Sequence, residues 1–286
     1  MFIISEKSLL FNGKQLYNYF MYQIPSAFND FISPDCNRLD FILDYLNQNN
    51  IDTAVLPIKD KKHVYVKFPK EQYNPSYRIK TVIAHYDREE NSPGANDNSA
   101  AVFSLLEWAV RLNARKSFHN IRLIFTDGEE EGENGISEQG AFELGKLFKK
   151  LSIVNDDIIV FDCTGRGNVP VICENNFSES VPQSFVRRYN EVQRRVQKII
   201  QKAAEGKWFS LKTNYSDNAG FIANGIPAVA VTFLPSDEIS CALKGEKPYT
   251  WQLFHTEADN ISSLTPDSFI LMQKILCELE EMKTLL

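Results

Sequence analysis

Three apolar runs in the sequence end in clusters of carboxylate and imidazole that no packing requirement explains: Ala84-His85-Tyr86-Asp87, Asp127-Gly128-Glu129-Glu130 and Asp162-Cys163-Thr164-Gly165. Between the first two lies the turn-like segment Gly94-Ala95-Asn96-Asp97-Asn98-Ser99, and near the C-terminus comes His255-Thr256-Glu257-Ala258-Asp259. Each has a plain reading on its own: Asp97 or Ser99 as a helix N-cap, His85 as a core histidine bonded to a carbonyl, the acidic run from Asp127 to Glu133 as a solvated loop. Together they form a donor set of imidazoles and carboxylates without thiolate. That set suits a catalytic zinc, which keeps a position open for water, better than a closed structural site. Calcium fits less well, because the run after Asp87 lacks alternating oxygen ligands and a closing glutamate, and two histidines favour a softer cation. The other histidines, His63 and His119, have polar or basic neighbours and are expected at the surface.

The elements that would position these residues alternate along the chain. Leu39 to Asn49 has a helical apolar face, and Ala54 to Ile58 and Val64 to Phe68 look extended. Arg78 to Ala84 reads as a buried strand, Ser99 to Leu112 as a helix, Ile121 to Phe125 as a buried strand, Glu138 to Lys150 as a helix, and Ile158 to Phe161 and Ala228 to Phe233 as strands. A last helix is expected to start with Thr265 as cap and Pro266 in the first position, where a missing N–H costs nothing. Strands alternating with helices predict an α/β fold: a single-domain α/β/α sandwich around a mixed, largely parallel sheet, spanning residues 1–286. In such sheets ligands bind beyond the carboxyl ends of strands, where the polar clusters fall.

Composition narrows the partners. With 286 residues and 43% hydrophobic content the chain can bury a large core. Five scattered cysteines without a C-x-x-C pair read as reduced thiols, not as a disulfide frame or a sulfur-ligated metal site. The first residues turn polar at Ser5, so no signal peptide is expected, and no apolar run approaches the ~18 residues of a membrane span. A cytoplasmic protein without a membrane partner is the expectation. The formal charge of −6 gives no general attraction for nucleic acid. The basic run from Val186 to Lys202 reads as an amphipathic helix with a solvated face.

The motifs AHYD, PGANDNSA, FTDGEEEG, FDCTG, SDNAGF-x-x-x-GIPAV and HTEADN, in this order, resemble the signature of metallopeptidase family twenty-eight, which comprises zinc aminopeptidases and glutaminyl cyclases. The likeness runs from about Arg78 to the C-terminus and implies a zinc-dependent exopeptidase-like fold. Carried over residue by residue, it implies that Asp97 bridges two zinc ions, that His85 and Asp162 complete one site, and that Glu130 and His255 complete the other. Glu129 would be the general base and Asp87 would orient His85. The Asp97–Asn98 peptide bond would be cis. The segment Glu131 to Gly140 departs from the family's Gly-Ser-containing turn, being longer and more acidic, and an acidic border there would favour cationic substrates. Tyr249 is a candidate for steadying the oxyanion.

The resemblance implies an aminopeptidase that hydrolyses the N-terminal bond of a peptide with a free N-terminus, using a water activated by two zinc ions. The same scaffold also supports a glutaminyl-peptide cyclotransferase with one zinc, in which the base deprotonates the substrate's own α-amine and ammonia leaves. A third reading is a non-catalytic binding module, which the filled ligand and base positions disfavour.

Overall fold

The computed structural model describes residues 24–286, together with the backbone of residues 10–11 and 14–15, which pair as a short antiparallel ladder. Eight strands form one sheet: β1 (Asp52–Ile58), β2 (Lys61–Lys67), β3 (Lys80–His85), β4 (Ile121–Thr126), β5 (Asp157–Phe161), β6 (Val169–Cys173), β7 (Phe209–Leu211) and β8 (Ala228–Leu234). Their order across the sheet is β1-β2-β4-β3-β5-β8-β6-β7. The pairs β4–β3, β3–β5, β5–β8 and β6–β7 are parallel, whereas β1–β2, β2–β4 and β8–β6 are antiparallel. The sheet is therefore mixed, with a parallel centre, as the alternation of elements predicts.

Nine helices accompany it among the described residues: α1 (Ala27–Ile32), α2 (Arg38–Gln48), α3 (Ala100–Asn113), α4 (Gly140–Lys150), α5 (Gln183–Ala203), α6 (Asn218–Ala223), α7 (Ile239–Leu243), α8 (Tyr249–Leu253) and α9 (Pro266–Glu281). The central strands bury both faces, which is why they read as continuous apolar runs instead of alternating ones. Val82, Ala84, Ile159, Phe161, Val229 and Val231 face a core shared with α2, α3, α5 and α9. Ile83, Ile158, Val160, Ala228 and Ala230 face the other way, against Ala141, Leu144 and Phe148 of α4 and Phe221 of α6. From β3 the chain steps outward to β4 and then back across to β5 on the opposite side. The loops leaving these strands splay apart and open a crevice at their carboxyl ends.

Several local expectations need correction. Thr265 precedes α9 but makes no side-chain cap, because its hydroxyl accepts the N–H of Gly167 at 2.8 Å instead. The helix expected from Glu138 starts at Gly140, after a single tight turn over Ile136–Glu138. The basic face of α5 is solvated as expected at Arg187, Arg194, Lys198 and Lys202, and engaged only in part: Arg195 grips Asp157 with two bonds of 2.8 and 2.7 Å, and Arg188 reaches the Gly225 carbonyl.

Candidate metal centre

β3, β4 and β5 deliver their terminal side chains to the crevice, and the segment Gly94–Ser99 folds across it. Gly94 holds φ +60, and a Cβ there would lie 2.5 Å from the Asp97 carbonyl, so the tight approach of this turn requires glycine. The Asp97–Asn98 bond is cis, as the resemblance implied. Asn96 and Asn98 fasten the turn to β5: Asn98 donates to the Phe161 carbonyl at 2.9 Å, and Asn96 accepts from Gly165 N at 2.7 Å. From the C-terminal motif, the Asp259 carboxylate accepts the N–H groups of Asn96 and Asp97 at 2.8 and 3.0 Å. Arg38, at the start of α2, reaches in from far upstream. It donates to the carbonyls of Tyr86, Asp87 and Pro93 and to the Ser99 hydroxyl, between 2.8 and 3.2 Å.

All five residues expected as ligands converge. His85 Nε2 lies 3.2 Å from Asp97 Oδ1 and 3.4 Å from Asp162 Oδ1. His255 Nε2 lies 3.5 Å from Asp97 Oδ2 and 3.1 Å from Glu130 Oε2. Asp97 thus turns one oxygen to each imidazole. His85, Asp97 and Asp162 form one donor group; Glu130 and His255 form a second together with Glu89, a carboxylate the sequence reading did not single out. Asp87 lies behind His85, its Oδ1 3.4 Å from Nδ1.

Electrostatics follow from burial and charge. Burial disfavours a charged His85, yet Asp162, Asp87 and Asp97 outweigh it and hold its pKa well above the usual imidazole range. Asp97 and Glu130 raise His255 to about 11. Burial pushes Asp97 up, but bonding to His255 and His85 prevails and holds it well below the carboxylate range. Glu130 is raised to about 7 by burial and by the Asp97 charge. Glu129 is driven well above its ordinary value, first by burial, with His85 opposing and Asp162 adding. Buried Asp217, bonded by Thr126, is raised to about 7, chiefly by burial.

This donor set fits zinc. Ligand atoms about 2.0–2.2 Å from a tetrahedral ion lie roughly 3.3–3.6 Å apart, whereas good N–H···O bonds centre near ~2.9–3.0 Å. Three of the imidazole–carboxylate distances, 3.2, 3.4 and 3.5 Å, lie closer to the first pattern, while the 3.1 Å between His255 and Glu130 lies nearer the second. The gathered acids also outnumber the two imidazoles, so a dication would relieve their mutual repulsion.

A cavity of about 680 Å³ opens over this cluster, walled by Glu129, Gln139, Asn175, Lys212, Tyr215 and Phe254 among others. Of the segment Glu131 to Gly140, where an acidic border was expected, the Glu133 side chain lies outside the described residues. Glu131 turns away to Lys61, and from this segment Gly132 and Gln139 line the cavity. Tyr249 stands outside that lining, 56% exposed, with Arg166 over its ring. His63 and His119 are fully buried, contrary to the surface expectation. His63 Nδ1 accepts from Asp127 N, and His119 bonds Ile121 N and Gln72, so their polar neighbours in sequence misled.

A model of peptidase family M28 matches residues 63–279. The probable leucine aminopeptidase 2 of Aspergillus oryzae is 24% identical over 212 residues, covering 66% of this chain and 38% of that protein. The chain spans about two fifths of the length of the curated relatives it matches. Among solved structures, the LapA aminopeptidase of Legionella pneumophila superposes with a TM-score of 0.65 at 16% identity, over 88% of this chain and 69% of that one. The glutaminyl cyclase of Porphyromonas gingivalis gives 0.61 at 16% identity, over 89% and 95%. Both similarities concern the fold.

Proposed function

The chain belongs to peptidase family M28, and from that membership and the converging ligands we propose a zinc-dependent aminopeptidase that removes the N-terminal residue of peptides. The observation that carries this reading is Asp97, whose two carboxylate oxygens face His85 and His255 separately. In this reading His85, Asp97 and Asp162 would hold one ion, and Asp97, Glu130 and His255 would hold a second. Zinc bound there supplies electrophilic charge to the scissile carbonyl and to water.

The remaining chemistry belongs to the chain's own residues. Glu129 stands beside the ligands on the cavity wall with a pKa raised by burial, which suits a group that must take a proton and give it back. It accepts a proton from the attacking water and returns it to the leaving amine. Asp87, its Oδ1 3.4 Å from the far nitrogen of the His85 ring, would orient that ring. The cavity would admit a peptide by its free N-terminus.

A glutaminyl cyclase is the second reading, favoured by the superposition that covers nearly the whole of one such enzyme. In it Glu129 would take a proton from the substrate's α-amine. Incubating the zinc-loaded protein with peptides beginning in Gln and in Leu, then weighing the products, tests both. Loss of the terminal residue from either peptide supports the peptidase; loss of ammonia from the Gln peptide alone supports the cyclase. Unchanged peptides under all metals tried would overturn the proposal. The expected cytoplasmic location remains part of this proposal, consistent with five free thiols.

A further inference from the structure

The main cavity continues into a side recess of about 40 Å³. Asp162, Cys163, Cys173 and Phe254 line both spaces, so the recess opens directly from the ligand cluster. It lies between the two donor groups: Asp162 belongs to the first, and Phe254 immediately precedes His255 of the second. The buried residues Ala230 and Thr232 of β8 line its sheet side, and Trp251 lines its α8 side. These walls are held in place. Thr232 Oγ1 donates to the Cys163 carbonyl at 3.1 Å, Cys163 N donates to Asn98 Oδ1 at 3.2 Å, and Trp251 packs against the cluster of Val169, Val171, Leu234 and Ile239.

The volume sets a size limit. An apolar cavity of about 150 Å³ takes benzene, so on the same scale this recess takes about two heavy atoms. The side chain of alanine or serine enters whole, whereas those of leucine and phenylalanine do not. The wider cavity offers the longer side chains little in exchange, because its wall beyond the recess carries Glu174, Asn175, Asn176 and Lys212, against which an apolar side chain buries little surface. When the first peptide bond lies at the ligands and Glu129, the α-carbon on its N-terminal side projects one side chain among those same residues. The rest of the peptide needs the wide cavity as its way out, while the recess ends on the sheet. Resting on the aminopeptidase reading of this same site, we propose that the recess receives the side chain of the N-terminal residue and selects peptides in which that residue is short, alanine and serine before leucine and phenylalanine, with Trp251 setting the limit.

The test uses zinc-loaded wild type and Trp251→Leu, which shortens the α8 wall and keeps it apolar. Both are assayed with the anilides of alanine, serine, leucine and phenylalanine and titrated calorimetrically with alanine amide and leucine amide. In wild type, kcat/KM on alanine anilide is expected to exceed that on leucine and phenylalanine anilides by about tenfold or more, the scale on which a pocket discriminates by a methylene group. Alanine amide should bind about tenfold more tightly than leucine amide. In Trp251→Leu the leucine-to-alanine ratio should rise about tenfold in both measurements. Wild type that cleaves leucine anilide as fast as alanine anilide, or that binds leucine amide as tightly as alanine amide, would overturn the proposal. So would binding of neither amide, or an unchanged ratio in a Trp251→Leu protein with wild-type zinc content. If that variant fails to fold, the wild-type panel decides alone. Wild type that binds alanine amide more tightly than leucine amide yet cleaves no anilide keeps the recess and removes the aminopeptidase reading; cleavage of leucine anilide ahead of alanine anilide does the reverse.

Discussion

Asp87 Oδ2 accepts the backbone N–H of Glu130 at 3.0 Å, so the carboxylate behind one histidine also ties down the loop that carries the opposite ligand and the base. Its other oxygen faces His85 Nδ1. One residue thus couples the ends of β3 and β4, and its loss should be felt at both.

Replacing Asp87 by Ala is expected to weaken zinc binding by about 10–100-fold, the usual effect of removing a ligand's outer partner. Asp87→Asn keeps an acceptor for Glu130 N–H and should lose less. Competition with a chromogenic chelator measures both, and wild-type affinity in the Ala variant would refute the coupling.

Glu129→Gln should lower kcat by about 10²–10⁴-fold, the range for removing a general base, while zinc content stays at the wild-type level. Metal analysis beside steady-state kinetics checks this. A variant retaining most of its turnover would remove Glu129 from the reaction.

Arg38→Met takes away the donors that clamp the Tyr86, Asp87 and Pro93 carbonyls and the Ser99 hydroxyl. Stranding these acceptors should cost about 2–4 kcal/mol in urea unfolding. An unchanged midpoint would show that the two loops hold themselves in place.

Lys80 is 2% exposed and donates to the carbonyls of Leu279 and Met282 near the end of α9. Burial lowers its pKa to about 7, with the Lys283 charge adding. Between that value and the ordinary lysine range the unfolded chain binds more protons than the folded one, so this group's contribution to stability rises with pH there, by at most about 1.4 kcal/mol per unit. Unfolding free energies from pH 7 to 9 should climb more steeply in wild type than in Lys80→Met. Parallel profiles would contradict this.

The site was legible in sequence wherever a strand end and a motif coincide. His85, Glu129, Glu130 and Asp162 follow apolar runs whose burial on both faces is written in their composition, and the crevice lies at the edge such sheets use. Arg38 and Glu89 escaped notice for a different reason. Each matters only through a partner brought near by folding, and nothing in its own neighbourhood separates it from a surface polar residue. His63 failed likewise: flanking lysines suggested solvent, but its place in β2 turns the ring inward. β6 and β7, at five and three residues, are too short to carry a period, and Pro170 within β6 lacks the N–H that a strand ladder uses.

Calorimetric titration of zinc into chelator-stripped protein tests the paired centre most directly. Wild type is expected to take up two equivalents, and Asp97→Ala, lacking the carboxylate that faces both imidazoles, is expected to bind both far more weakly. A single equivalent in wild type, or an Asp97→Ala titration superimposable on it, would contradict a centre built on a shared carboxylate.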